Sequence, residues 1–160
     1  MEKMVSTVFK ILGASIILMF LLDTSLMLIE VISVHSKVSN IMGMVQMEVA
    51  KNNCMPDEMA DGFEKYFIEN LTESKLSPEF TTNFRKTGAY NDEEALAESA
   101  AGEYGQFKKV KVDVLIHPSY VYFANKGGSR STRVNSLVRG NPTDIILSYE
   151  YTVPCLRYLK

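Results

Sequence analysis

Ile11-Leu-Gly-Ala-Ser-Ile-Ile-Leu-Met-Phe-Leu-Leu22 is apolar on every side of a helix, and it follows a basic start carrying Lys3 and Lys10. A bilayer core about 30 Å thick needs roughly 20 helical residues to cross it. After Asp23 the apolar character resumes through Leu26, Met27, Leu28, Ile29, Val31, Ile32 and Val34. A helix buried in a soluble domain would confine its apolar residues to one stripe, which residues 11–22 do not. A cleaved secretory signal would end in a small-residue site of the Ala-x-Ala kind. None follows here, so an uncleaved signal-anchor is expected, with residues 1–34 as the membrane-spanning half of a long helix. Lys3 and Lys10 place the N-terminus inside and the remainder outside, because short basic flanks stay cytoplasmic. Asp23 either marks the outer edge of the span or sits among neighbouring helices, neutralised by an amine of another copy.

The helix is expected to continue to about residue 52. Val31, Val34, Val38, Ile41, Val45 and Val49 recur at helical spacing and form one apolar face. Asp23, Glu30 and Lys37 fall seven apart on a slowly drifting polar stripe. Such a helix would be roughly 70 Å long, and its valine stripe requires a cover.

Residues 35–160 read as one extracytoplasmic α+β domain. Asn52, Asn53 and Pro56 break the long helix, and Asp57 and Glu58 open a second one at about 56–71. Its apolar face comprises Met59, Phe63, Tyr66, Phe67 and Leu71. Residues 74–87 read as irregular. Residues 91–101 read as a short acidic surface helix. From Phe107 the period becomes two, with Val110, Val112, Val114 and Ile116 on one face and Lys109, Lys111 and Asp113 on the other. Strands are expected at about 107–117, 120–125, 133–139 and 145–153, joined by tight turns such as Gly127-Gly128 into an antiparallel meander of about four strands. The fold class is therefore α+β: a long N-terminal helix, half membrane and half amphipathic, packed on a C-terminal antiparallel sheet with short extra helices.

The chemistry-bearing residues are few. Cys54 and Cys155 are the only cysteines, and two readings stand: a disulfide, or two small buried thiols. A bridge would close a loop of about 100 residues, worth up to ~4–5 kcal/mol on chain-entropy grounds. His35 and His117 have no acid or cysteine at ligand spacing, so no metal site is expected. No nucleophile, phosphate-loop or acid-pair signature is present, so neither an enzyme nor a cofactor is expected. The net charge of −2 gives no reason to expect nucleic acid. An acidic run (Asp92, Glu93, Glu94, Glu98) and a basic one (Lys126, Arg130, Arg133, Arg139) are either solvated faces or complementary patches between copies. Asn70-Leu71-Thr72 is a glycosylation sequon that matters only in a eukaryotic secretory setting.

This layout, an apolar half-helix running into a valine-striped half that meets a strand-rich end, resembles a type IV pilin-like or pseudopilin subunit, including the accessory class of tight-adherence pili. The resemblance covers the whole chain as architecture. It implies a non-enzymatic structural component of a pilus, secretion or conjugation apparatus, assembling through its N-terminal helix with copies of itself or related subunits. Lys10, Asp23 and Glu30 would be helix-assembly contacts. The family's processing signature is a glycine followed by glutamate at the fifth mature position, and here Gly13 is followed at that place by Leu18. The alternative expectation is a single-span domain tethered to the membrane that binds a ligand, through the sheet's polar face or the Gly127-Gly128 loop. In either case membrane lipid is a partner.

Overall fold

The computed structural model describes residues 2–85, 90, 94–97, 101–118 and 131–158. Helix α1 runs unbroken over Glu2–Asn52 and helix α2 over Asp57–Leu71. The strands are β1 (Glu79–Thr82), β2 (Phe107–Ile116), β3 (Thr132–Arg133) and β4 (Ile145–Pro154). They form one sheet in the order β3-β1-β2-β4. The α+β architecture is thus the expected one, a long helix on a four-stranded sheet.

α1 stops at Asn53, whose φ of 61° is a left-handed conformation that asparagine tolerates. The Asn53 side chain then ties the helix end to the C-terminal tail. Its Oδ1 accepts the Arg157 N–H at 2.9 Å, and its Nδ2 donates to the Arg157 carbonyl at 2.6 Å. Pro56 opens α2 without a side-chain cap, and Asp57 and Glu58 occupy the first turn where the helix dipole favours acids.

The valine stripe is the core. Val34, Val38, Ile41, Val45 and Val49 are all buried, against Val110, Val112 and Val114 of β2, Phe80 of β1, Tyr149 and Val153 of β4, and Phe67 and Leu71 of α2. Four methionines between residues 42 and 55 divide: Met42 and Met55 are fully enclosed, Met44 is partly buried, and Met47 faces out. The alternation in β2 holds, with its valines inward and Lys109, Lys111 and Asp113 on the outer face.

Four expectations are corrected. The sheet is mixed rather than a meander, because β3 runs parallel to β1. β1 lies in a stretch expected to be irregular; flanked by Pro78, its four residues are too few to show a period. The strand expected at 133–139 shrinks to Thr132–Arg133: the Val134 N–H still donates to the Phe80 carbonyl, and beyond it the Gly140 and Asn141 N–H groups turn to the Asp144 carboxylate. The described part of 91–101 is not a surface helix: Ala95 and Leu96 are buried and Ala97 bridges to Met55, so the Met55 N–H donates to the Leu96 carbonyl at 2.6 Å. The expected strand at 120–125 and the Gly127-Gly128 turn lie outside the described residues.

α2 also turns differently from its apolar pattern. Tyr66 is exposed, whereas Glu64 is buried alongside Ala60, Phe67 and Leu71. Glu64 is tolerated there because Arg133 Nε lies 3.1 Å from its Oε1 and Thr82 donates to that oxygen at 3.2 Å. Burial, the dominant influence, pushes the Glu64 carboxyl above its ordinary range despite Arg133 and Arg85.

Candidate functional site

The domain grips α1 earlier than the boundary at 34/35 suggests. Leu26, Met27 and Val31 are partly buried beside Leu76, Ile116 and Leu147. Asp23 is 9% exposed and lines a cavity of about 270 Å³ with Phe20, Thr24, Met27, Pro118, Thr143 and Ile145. One face of residues 23–34 is therefore covered by protein, while Leu28, Ile29 and Ile32 on the other stay exposed. The freely exposed apolar segment is residues 4–22, which rises about 28 Å and so matches a hydrocarbon core of about 30 Å.

That segment is exposed along its length, including Phe9, Leu12, Ile16, Ile17 and Phe20. Two of its hydroxyls are satisfied within the helix: Thr7 donates to the Lys3 carbonyl and Ser15 to that of Ile11, both at 2.9 Å. Thr24 and Ser25 do the same to Phe20 and Leu21, at 2.9 and 2.7 Å. A surface facing hydrocarbon needs this closure, because no water is available to complete a polar group. Among the described residues, one helix is long and apolar enough to cross a membrane. Of the residues expected to make assembly contacts, Lys10 is exposed, Glu30 is half-buried, and Asp23 faces the base of the domain. Lys37, on the same stripe, donates to the Asn70 carbonyl at 2.9 Å and so locks α1 to the end of α2.

Cys54 and Cys155 are both buried and are not joined in a disulfide, and the Cys54 thiol donates to the Asn52 carbonyl at 3.4 Å. Burial pushes the Cys155 thiol up, which disfavours its reactive thiolate. Gly102 makes room for it, since a Cβ there would meet the Cys155 sulfur at 2.6 Å.

Tertiary structure gives both histidines partners that their sequence neighbours did not reveal. His35 Nδ1 lies 2.8 Å from the Tyr149 hydroxyl, and the two rings stack with centroids 5.5 Å apart. Burial pushes the Tyr149 phenol up to about 12, with Tyr151 adding to it. His117 stands between two acids, with Nδ1 3.1 Å from Asp144 Oδ1 and Nε2 3.9 Å from Glu79 Oε1. Asp144 is held below its ordinary range chiefly by the Asn141 N–H, with help from His117 and the Gly140 N–H. Among the described residues no group of three or more His, Cys, Asp or Glu could hold a metal ion.

The charge runs are partly absorbed by the fold. Glu94 pairs with Lys111 at 2.5 Å and Arg133 with Glu64, both inside this chain. Arg139 is exposed. Asp92, Glu93, Glu98, Lys126 and Arg130 lie outside the described residues.

The outer face of the sheet carries an arrangement that the sequence concealed. Thr81 stands opposite Asp113, and Asp113 opposite Ser148, in one row across β1, β2 and β4. Tyr90 donates to Asp113 Oδ2 at 2.7 Å. Burial, reinforced by that bond, raises the Tyr90 phenol and keeps it a donor. The alternation in β2 does turn Asp113 outward, but its neighbours depend on strand register.

Compared with known proteins, the chain matches no family model, and no curated protein or solved structure matches it either. The fold and surface themselves define a class: an α+β domain built onto the distal part of a continuous helix whose first part could cross a membrane.

Proposed function

We propose that this chain is a non-enzymatic, pilin-like structural subunit or accessory of a pilus, secretion or conjugation apparatus, anchored with its N-terminus inside and its domain outside, and assembling through α1. The observation that carries the reading is the continuity of α1. The same helix that exposes residues 4–22 on every side supplies the valine stripe of the core, without a break over Glu2–Asn52. A tether needs only a span and a linker, whereas here the span and the domain form one stiff body. Above Asp23, Leu28, Ile29 and Ile32 are 53%, 61% and 64% exposed, outside the matched bilayer length. Apolar side chains there favour a lateral protein partner over water.

The test is mechanical shearing of native cells followed by intact mass of the recovered protein, together with replacement of residues 4–22 by an unrelated span. An assembling subunit should appear in sheared or cross-linked complexes and lose them on replacement. Recovery only as a monomer in the membrane, unchanged by the replacement, would refute assembly. A single-span domain tethered for ligand binding is the second reading, and the row on the outer sheet face favours it.

A further inference from the structure

Thr81, Asp113 and Ser148 are consecutive in register on three neighbouring strands, all on the face turned away from α1. Cross-strand neighbours sit about 4.5–5.5 Å apart, so the row spans about 10 Å. Tyr90 reaches over it to Asp113, and Leu137 and Ile146 add apolar wall. Together they line a cavity of about 360 Å³, within the ~300–1,000 Å³ range of ligand sites.

A second observation concerns Thr81 alone. It is only 3% exposed, it lines this cavity, and among the described residues its Oγ1 has no hydrogen-bond partner. A valine would fill the same strand position without leaving a buried hydroxyl unmade, which is a cost that packing does not explain. Asp113 uses Oδ2 for Tyr90, so its other oxygen keeps acceptor capacity. Lys111 is paired to Glu94 and Lys109 to Glu150 at 2.8 Å, so Asp113 gives the pocket its one carboxylate charge. A carboxylate disfavours an anion, and one carboxylate falls short of the ligand set a metal needs.

The ligand that satisfies these groups offers hydroxyls to a carboxylate, exchanges hydrogen bonds with Thr81 and Ser148, and lays C–H surface on Leu137, Ile146 and the Tyr90 ring. We infer that this pocket binds a neutral sugar unit of a glycan. The site faces away from α1 and does not depend on assembly through the helix.

The experiment uses the full chain in lipid nanodiscs prepared without glycoside detergents. Saturation-transfer NMR is run with glucose, galactose and N-acetylglucosamine, and with methylamine as a cationic probe. Transfer to the ring protons of at least one sugar is expected, with Thr81→Val and Asp113→Asn each weakening binding about tenfold. Thr81→Val should leave the melting temperature of the unliganded protein unchanged or higher, since it removes an unsatisfied hydroxyl. Sugar signals absent, or untouched by both substitutions, would overturn the inference. So would a lowered melting temperature for Thr81→Val, or methylamine binding in place of sugar.

Discussion

Glu64 of α2 and Arg133 of β3 are joined by an ion pair at 3.1 Å, with the carboxylate side chain only 8% exposed. The pair fastens the shortest strand of the sheet to the helix across from it. It also couples folding to pH. Burial raises the Glu64 pKa above its ordinary 4.5, so the folded state holds the proton more tightly than the unfolded chain. The contribution of that group is complete below 4.5 and is lost as pH rises through the folded value. Glu64→Gln removes this dependence. Urea titrations at several pH values should show the stability of the variant relative to the parent rising from pH 4.5 towards neutrality. A pH-independent difference would contradict the assignment.

Asp144 behaves with the opposite sign. Its carboxyl is held below 3.8 by the Asn141 N–H first, then by His117 and Gly140. Its contribution is present above the unfolded value and disappears as pH falls through the folded one. Asp144→Asn should therefore lower the melting temperature at neutral pH, with the loss shrinking on acidification. Thermal scans of parent and variant across the acid range would reveal a constant offset if the carboxylate charge is irrelevant.

The core joint is tested by Phe67→Ala. Phe67 is fully buried and lies 5.3 Å from Phe80 between ring centroids. Removing it should cost about 3–5 kcal/mol in denaturant unfolding. The exposed Tyr66→Ala, one residue earlier, should stay within about 0.5 kcal/mol. Equal losses at both positions would contradict the observed turn of α2.

The extent of the proposed membrane segment, residues 4–22 or 1–34, can be tested. Ile17 and Ile32 are almost equally exposed, at 63% and 64%. An arginine at mid-bilayer costs on the order of 2.5–3.5 kcal/mol on insertion scales, so Ile17→Arg should sharply reduce the carbonate-resistant fraction. Ile32→Arg should leave insertion intact, because it stands beyond the domain's first contact at Asp23. If both variants lose insertion, the span extends further than the structure indicates.

The contact between α1 and β4 is weaker. Tyr149→Phe removes the 2.8 Å hydrogen bond to His35 while keeping the stacked ring. A loss of about 0.5–1.5 kcal/mol is expected from equilibrium unfolding. No measurable loss would mean that water replaces the hydroxyl contact without cost.

Much of this protein could be read along the chain. An all-round apolar run needs only composition to be recognised, and the valine stripe needs only the 3.6-residue period. Both depend on residues close in sequence, so α1, its end near Asn53, the start of α2 and the alternation of β2 were legible without coordinates. β4 was found for the same reason, with its end displaced by a single residue.

Tertiary structure decided whatever depends on partners far along the chain. Nothing in the local sequence marks Glu64 of α2 as buried, and only the arrival of Arg133 made its burial tolerable. β1 is too short to show a period, and its strand character comes from pairing with β2. His117 acquired Asp144 through the turn at 140–144 and Glu79 through the pairing of β1 with β2. The row of Thr81, Asp113 and Ser148 exists only because three strands settle in one register, and a slip of one residue would turn its members to the other face. Local periodicity thus determined the long elements of this protein, α1, β2 and β4. Long-range pairing, which sums many small contacts between distant segments, decided which polar groups meet and where the apolar helix becomes part of a domain.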